Sequence, residues 1–352
     1  MTMINRRRFL EAAGGVAAAT LLPVGASRAQ GDGKLVFVGW GGSYQDAQRK
    51  AHLDPFKAAK GIEVTEIPGG PRLAKLKAQV EANNVEWNII DLEWSDMLRA
   101  GRAGLLEPID TAVVDTSKIV PEGKNEFGIM NCYYSMVFGR NTKHFPADKP
   151  GPEGWKGFWD VANFPGPRCL KDTPKGALEG ALIADGVAIA DLYPLDIDRA
   201  FRKLDELKPH ITNWYSGAAQ VVQLLSSGEV VLASTSHNRL QAAVADDAPI
   251  AIDWTDGRLD SDFWCVPRGA PHKELAMEFI ASATQADQQA EMARLTSLGP
   301  TNADAMGLLN EEERNGLPST EERMGGQFWT NNDWWLDNEE KIQNQWEVWK
   351  LT

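Results

Sequence analysis

The chain has 352 residues, with 36 Lys and Arg against 49 Asp and Glu, and carries a formal net charge of −13 at neutral pH. This acidic balance disfavours binding to nucleic-acid phosphates or to anionic lipid headgroups, and it favours small cations. The alternative interpretation is that the acidic residues only keep the protein soluble. The length exceeds what one small core usually holds, so we expect two domains.

The first 29 residues are predicted to be an export signal. The segment NRRRFL at residues 5–10 is followed by an apolar run at 12–24 and a small-residue site ending at Ala29. Adjacent arginines before Phe-Leu are typical of the twin-arginine type, whose cargo crosses the membrane folded. The run of roughly 13 residues is shorter than the ~20 that span a bilayer, which disfavours a retained anchor. The sequence therefore predicts a soluble periplasmic protein with 32 basic and 48 acidic residues, a net charge of −16 after the signal is removed.

The predicted elements of the first part alternate between strand and helix, which favours an α/β fold with a mostly parallel sheet. In chain order we predict a strand over 34–39, a helix over 43–60 closed by Gly61, a strand over 62–67, a helix over 72–81, a strand over 87–92 and a helix over 94–103.

The middle of the chain continues in the same style. We predict an extended run over 133–139, helices over 177–190, 196–208 and 217–227, a strand over 230–234, a helix over 238–245, strands over 250–254 and 263–267, and two helices within 273–295. The tail from residue 310 is rich in Glu, Asn and Trp. Trp335, Trp346 and Trp349 share one helical face there, which predicts a docked C-terminal helix.

The sequence shows neither a disulfide framework nor a metal motif. Cys132, Cys169 and Cys265 are scattered, so one disulfide and two or three free thiols both remain open. The five histidines form no H-x-x-x-H or H-E-x-x-H pair, and no G-x-S-x-G elbow occurs. We therefore predict no cofactor, no metal and no enzymatic activity, and an exported enzyme is the weaker alternative.

In order and spacing, five short segments resemble the extracellular solute-binding proteins of ABC importers, in particular the spermidine/putrescine binders and their relatives that bind γ-aminobutyrate-like compounds. The segments are VGWGGSY at 38–44, NIIDL at 88–92, GRAGLLEPID at 101–110, LLSSGEVV at 224–231 and GPTN at 299–302. None of them is a catalytic motif.

This resemblance implies a two-lobed type II fold, each lobe a mostly parallel sheet flanked by helices. Lobe I would comprise 30–138 plus 262–308, and lobe II 139–261 plus 309–352, with the chain crossing near 138–140 and 260–263. The resemblance further implies a monomer that closes on a small ligand, delivers it to an inner-membrane ABC permease, and binds no nucleic acid.

Two loops that follow predicted strands supply the first candidate ligand contacts. Trp40 offers an aromatic face to an alkyl chain or ammonium group, and the backbone of Gly42, Ser43 and Tyr44 opens a helix whose N-terminus favours an anionic group. A tight turn capped by Ser43 is the structural alternative. Glu93 and Trp94 follow the strand that ends at Leu92, where ligands bind in parallel sheets, although Glu93 could simply cap the next helix.

The resemblance adds candidates near the second crossing. Polyamine binders carry a tryptophan and an aspartate two residues apart there, and this chain has Asp260 and Asp262, followed by Trp264. Carboxylates in a closed cleft would pair strongly with an ammonium group. Tyr134 and Trp334 complete the aromatic candidates.

Departures from the polyamine pattern predict a different ligand. Ser236 stands where the family places a tryptophan, beside His237 and Asn238, while Asn238 could instead cap a helix. Polyamine binders carry acids at the positions of Thr173 and Gly176, where only Asp172 remains nearby. We therefore expect a short ligand with one ammonium and one acidic end. A receptor for an anion, using Arg239, is the alternative.

Overall fold

The structure is a computed structural model that describes residues 33–146 and 148–352, and the predicted export signal lies outside them. In the described part of the chain, no helix is both long and apolar enough to cross a membrane.

The strands are β1 (Lys34–Val38), β2 (Glu63–Ile67), β3 (Ile89–Glu93), β4 (Lys124–Asn125), β5 (Gly128–Asn141), β6 (Arg168–Lys171), β7 (Ile211–Tyr215), β8 (Leu232–Ser236), β9 (Ile250–Cys265) and β10 (Phe328–Trp329). The helices are α1 (Gly42–Gln48), α2 (Asp54–Lys60), α3 (Leu73–Glu81), α4 (Trp94–Arg102), α5 (Gly154–Trp159), α6 (Pro174–Ala184), α7 (Ile197–Leu207), α8 (Ala218–Ser227), α9 (His237–Ala245), α10 (Lys273–Ala283), α11 (Ala286–Thr296), α12 (Glu311–Asn315), α13 (Glu321–Met324) and α14 (Asn332–Leu351). A π-helical turn, Arg49–Leu53, joins α1 to α2.

These strands form one mixed sheet in the order β2-β1-β3-β9-β5-β8-β6-β7, with β10 beside β9 and β4 beside β5. Strands β2, β1 and β3 are mutually parallel at one end, as are β8, β6 and β7 at the other. The two long antiparallel strands β5 and β9 run between them. The molecule therefore has two α/β lobes, lobe I around β1 and lobe II around β6, which share two continuous strands.

The lobes meet where β5 changes partners. Strand β5 pairs with β8 only from Met136 onward, and a register shift with β9 lies between Met136 and Phe138. Met136 is opposite Arg258 on β9. These pairings put the chain crossings near Met136 and Arg258. The predicted residue limits of the two lobes remain a prediction.

Several element predictions need correction. The strands predicted over 250–254 and 263–267 are a single strand, because the polar residues between them pair with β5 across the lobe junction. The helix predicted to reach Ala190 ends at Ala184, since Gly186 takes a left-handed φ of +91°. Strands β6 and β7 and helix α5 were not predicted. All three cysteines are buried and free.

Each lobe has its own core. Phe37, Phe56 and Phe279 pack together in lobe I. In lobe II, Trp335 and Trp346 from α14 are fully buried among residues of α5, α6 and α7. The indole N–H groups of α14 find acceptors there: Trp335 donates to Glu179 (2.7 Å), Trp346 to Asp172 (3.1 Å) and Trp349 to Asp205 (2.7 Å). The C-terminal helix is thus an integral part of lobe II.

We expect Trp346→Ala to lower the free energy of unfolding by about 3–5 kcal/mol, because it leaves a large cavity and removes the indole hydrogen bond to Asp172. Val348, on the same helix, is 63% exposed, so Val348→Ala should change stability by less than about 0.5 kcal/mol. Urea denaturation of both variants measures the difference. Equal losses would show that α14 is not docked in this way.

Candidate ligand-binding cleft

A cavity of about 430 Å³ lies where the two lobes meet. Its walls come from both lobes. Lobe I contributes Trp40, Gly41, Tyr44, Glu93, Cys132, Tyr134, Asp262 and Leu298, and lobe II contributes Met136, Lys171, Tyr215, Ser216, Thr235, Ser236, Asn238 and Arg239.

Strand register brings the acidic residues of lobe I together. Glu93 ends β3 and lies directly opposite Asp262 on β9, which in turn lies opposite Cys132 on β5. Directly opposed residues of antiparallel strands have Cβ atoms about 4.5–5.5 Å apart. The two carboxylates therefore share one face of the sheet and reach the same end of the cavity.

A third carboxylate lies behind this pair. Asp91 is fully buried and accepts hydrogen bonds from Gln48 Nε2 (2.9 Å) and Asn131 Nδ2 (2.7 Å). Burial raises the pKa of Asp91 to about 7. Burial, with the charges of Asp91 and Glu93, also raises the pKa of Asp262 well above its usual range. Asp262 makes no ion pair within the described part of the chain, so this cluster attracts a cation.

Aromatic rings border the acidic end. Trp40 is half-buried and packs over Gly70, where a Cβ atom would lie 2.8 Å from the indole ring. Gly70 has a φ of +80°, so both its backbone and this contact require glycine. Tyr44 and Tyr134 line the same side of the cavity. Such rings contact methylene groups and hold an ammonium group by cation–π attraction.

The opposite wall, from lobe II, is basic and rich in hydroxyl and amide groups. Lys171 ends β6, and Arg239 lies in the first turn of α9. Ser236 ends β8 and donates a hydrogen bond to Asn238 Oδ1. Ammonium, guanidinium and hydroxyl donors are the groups that bind a carboxylate. The cleft thus has an acidic wall on lobe I and a basic wall on lobe II.

Seven of the sequence-predicted site residues line this cavity. They are Trp40, Tyr44, Glu93, Tyr134, Ser236, Asn238 and Asp262. Their role in binding remains a prediction. The strand-end rule found several of them, because the carboxyl ends of β1, β3 and β8 all open on the cleft.

Asp260 is placed differently from Asp262, although both were expected to bind the ligand. Its Oδ2 accepts a hydrogen bond from Arg258 Nη1 (2.6 Å), and its Oδ1 accepts one from the Ser261 backbone N–H (3.0 Å). The side chain is buried and lies outside the cavity lining. Its charge is already neutralised by Arg258, whereas Asp262 has no such ion pair in the described part of the chain.

The helix start at Gly42 and Ser43 is also corrected. Both residues are exposed and lie outside the cavity lining, and the Gly41 N–H donates to Gln45 Oε1 (2.8 Å). The Gly41 N–H is thus used within the turn, and a binding role for Gly42 and Ser43 stays a prediction.

The other predicted contacts lie in packed regions outside the cavity. Trp264 is in the lobe I core against His52 and Phe279. Trp94 packs on Phe263 and Trp329, and Trp334 on Tyr193 and Trp335. Asp172 forms an ion pair with Lys350 (2.7 Å), and His237 is fully buried. Trp264 lies two residues beyond Asp262 on β9, where Phe279 of α10 packs on its ring, so it belongs to the lobe I core.

Sequence reasoning missed Lys171, Thr235 and Tyr215. Lys171 and Tyr215 end strands β6 and β7, which were not recognised, and they are opposite each other in register. Recognising the short strand RCLK at 168–171 would have marked Lys171 by the strand-end rule that marked Glu93.

Comparison with known proteins agrees with this architecture. Residues 51–309 match the family described as bacterial extracellular solute-binding protein. The chain is 33% identical over 321 residues to the gamma-aminobutyric acid-binding protein of Pseudomonas aeruginosa, covering 90% of each. Among solved structures, the Atu4243 GABA receptor is 36% identical with a TM-score of 0.83, over 90% of this chain and 98% of that one. The AgtB protein of A. tumefaciens R10 in complex with agropinic acid is 35% identical with a TM-score of 0.77, over 91% and 99%.

The fold and cleft are those of a two-lobed type II binding protein. The chain belongs to the bacterial extracellular solute-binding protein family. Its role is that of the substrate-binding receptor of an ABC importer, which captures a small molecule for transport.

The clustered acids predict a stability cost that grows with pH. An acid whose pKa is higher in the folded protein than in the unfolded chain destabilises the fold when it ionises. The contribution of these acids to the free energy of unfolding should therefore fall as the pH rises from about 4 to beyond 7, the pKa of Asp91. His52 and His237, whose pKa values burial lowers to about 4, contribute in the opposite sense below about pH 6.5, so the acids are measured by comparing variants. Asp262→Asn removes one charge and should stabilise the ligand-free protein at pH 8 by about 1–3 kcal/mol.

Urea unfolding of the wild type and of Asp262→Asn at pH 5 and pH 8 measures how the difference in their free energies of unfolding changes with pH. Glu340→Gln, at an exposed position of α14, is the control and should leave the pH dependence unchanged. An Asp262→Asn variant that is less stable than wild type at pH 8 would contradict the electrostatic interpretation.

Proposed function

We propose that this protein is a periplasmic receptor for a short ω-amino acid of the γ-aminobutyrate type, which it delivers unaltered to an ABC permease. One observation carries the proposal. The carboxylates on the lobe I wall face the basic groups on the lobe II wall across a single cavity. A zwitterion with its charges at opposite ends complements both walls at once.

The ammonium end of the ligand would bind at Asp262 and Glu93, with Trp40 covering it. Two carboxylates in a cleft that closes over the ligand would give an ammonium group strong charge-assisted hydrogen bonds. The ligand carboxylate would reach Lys171 and Arg239, with Ser236 as a further donor. The binding of γ-aminobutyrate by relatives that are 33% and 36% identical supports this assignment.

The same wall argues against a polyamine. A second ammonium group would face Lys171 and Arg239 with no carboxylate to neutralise it, because Asp260 is already paired with Arg258. An unpaired charge held in a closing cleft is costly. A purely anionic ligand meets the opposite difficulty at Asp262 and Glu93.

Binding would draw the lobes together. Each charged end of the ligand contacts a different lobe, so both contacts form only when the cleft is narrow. The ligand therefore shifts the population towards the closed state, which the permease would recognise. In this proposal the protein acts as a monomer, performs no chemistry on its ligand and binds no nucleic acid.

A ligand panel tests the proposal directly. We expect γ-aminobutyrate or 5-aminovalerate to bind with micromolar or tighter affinity by calorimetry, and to raise the melting temperature as binding to the native state requires. Putrescine, spermidine and succinate should bind at least tenfold more weakly, because each lacks one of the two required charges. A diamine or a dicarboxylate that binds more tightly than every ω-amino acid would overturn the ligand class.

Exchanging one charge on lobe II should change the preference. Lys171→Met removes a donor to the ligand carboxylate, so γ-aminobutyrate should bind about 10–100-fold more weakly. Putrescine should bind more tightly than it binds the wild type, because one repulsive charge is gone. Lys341→Met, on the exposed face of α14, is the matched control and should change neither affinity. If the affinities for γ-aminobutyrate and putrescine fall equally in Lys171→Met, Lys171 does not bind the ligand carboxylate.

A further inference from the structure

His237 occupies a position that the ligand-binding proposal does not explain. It is the first residue of α9 and lies between Ser236 and Asn238, both of which line the cavity. Its own side chain is fully buried and outside the lining. Buried polar groups are normally hydrogen-bonded, so the partners of this imidazole show which segments it connects.

Both ring nitrogens of His237 are used, in opposite senses. Nδ1 accepts a hydrogen bond from the backbone N–H of Ser135 (3.1 Å), and Nε2 donates one to the backbone carbonyl of Ser297 (2.7 Å). A single neutral tautomer, with its proton on Nε2, satisfies both contacts. Burial lowers the pKa of His237 to about 4, so this neutral form prevails at physiological pH.

The two backbone partners belong to different structural units. Ser135 precedes the point on β5 at which the chain passes into lobe II. Ser297 follows α11 in lobe I, and its neighbour Leu298 lines the cavity. Gly299 exchanges backbone hydrogen bonds with Tyr133 (3.1 and 2.8 Å), which holds this segment on the lobe I half of β5. The imidazole therefore joins a lobe II helix to lobe I.

A second contact lies one turn further along α9, where Gln241 Nε2 donates to the backbone carbonyl of Gly316 (2.6 Å). Gly316 precedes Leu317, which packs with Ala290 and Ala293 of α11, so this segment lies against lobe I although the predicted limits assign it to lobe II. Trp254 packs on the His237 ring at 5.2 Å, and Arg323 stacks on Trp254 at 3.8 Å from its centroid. Arg323 is the charged side chain that acts on the imidazole, and its positive charge also favours the neutral form.

We propose that His237 is a positioning residue that clasps the two lobes at the hinge. By bonding both Ser135 and Ser297, it holds the start of α9 at a set distance from lobe I, so that Ser236 and Asn238 face Leu298 across the cleft. The clasp is a property of the ligand-free protein and goes beyond the proposed function. Only its effect on ligand release rests on that function.

Three variants separate a clasp from a general packing role. His237→Phe keeps an aromatic ring but removes both hydrogen bonds, whereas His237→Gln retains a donor for Ser297. His52→Phe is the matched control, because His52 is equally buried but lies in the lobe I core against Trp264. Solution X-ray scattering of the ligand-free proteins measures how far the lobes are apart. Stopped-flow fluorescence with γ-aminobutyrate measures release.

We expect His237→Phe to have a larger radius of gyration than wild type without ligand, and to release γ-aminobutyrate about tenfold faster with a nearly unchanged association rate. His237→Gln should recover part of both properties. His52→Phe should lower the melting temperature while leaving the radius of gyration and the release rate as in wild type. This pattern separates lobe positioning from loss of stability.

The proposal is overturned if His237→Phe scatters like wild type, or if His52→Phe opens the lobes to the same extent. If His237→Phe does not fold, Gln241→Ala tests the same seam and should give a smaller increase in radius; an unchanged radius would then reject the clasp. If no ω-amino acid binds the wild-type protein, the proposed function fails, while scattering of the ligand-free variants still decides the clasp.

Discussion

The antiparallel pairing of β5 with β9 is the constraint on which the rest of this molecule depends. These two strands run through both lobes, and their register determines which side chains meet at the lobe junction. Asp262 reaches the cavity because it lies opposite Cys132 and Glu93, and Met136 because it lies opposite Arg258 and Ser236. A shift of one residue would turn every one of these side chains to the other face. The residues that line the cleft are therefore determined by the register of the sheet.

The electrostatics of the cleft show where stability is given up for binding. Asp91, Glu93 and Asp262 lie close together and form no salt bridge in the described part of the chain, although the charge of Lys171 on lobe II acts on Glu93 and Asp262. Arg258 and Asp260, on the same strand as Asp262, form a buried ion pair. Like charges that lie close together in a partly buried site without a salt bridge lower the stability of the fold. Leaving the lobe I acids unpaired makes the empty cleft costly, and a bound ammonium group relieves that cost. In the same way, a bound carboxylate would relieve the repulsion between the basic groups of lobe II.

Much of the fold was predictable because local patterns and tertiary contacts agree. The alternating elements of the first hundred residues, the two helices after residue 273 and the tryptophan face of the last helix all follow from hydrophobic periodicity. The failures have a common cause. Strand β9 was predicted as two pieces because the segment 255–262 is mostly polar, and this polarity reflects the lobe junction rather than a turn. Strands β6 and β7 are too short and too polar at their ends to stand out against the helices around them.

From the chain alone one could tell the fold class, the family resemblance and the strand ends at which a ligand would bind, because periodicity and turn residues are local properties. Spacing could not distinguish Asp260 from Asp262, since two residues apart on a strand share a face. The two aspartates differ because Arg258 forms an ion pair with Asp260 and not with Asp262. Nor could it show that His237 turns away from the ligand towards Ser135 and Ser297, which are about one hundred and sixty residues apart in sequence. Which polar groups are already paired is decided by contacts between distant segments, and those exist only once the sheet has formed.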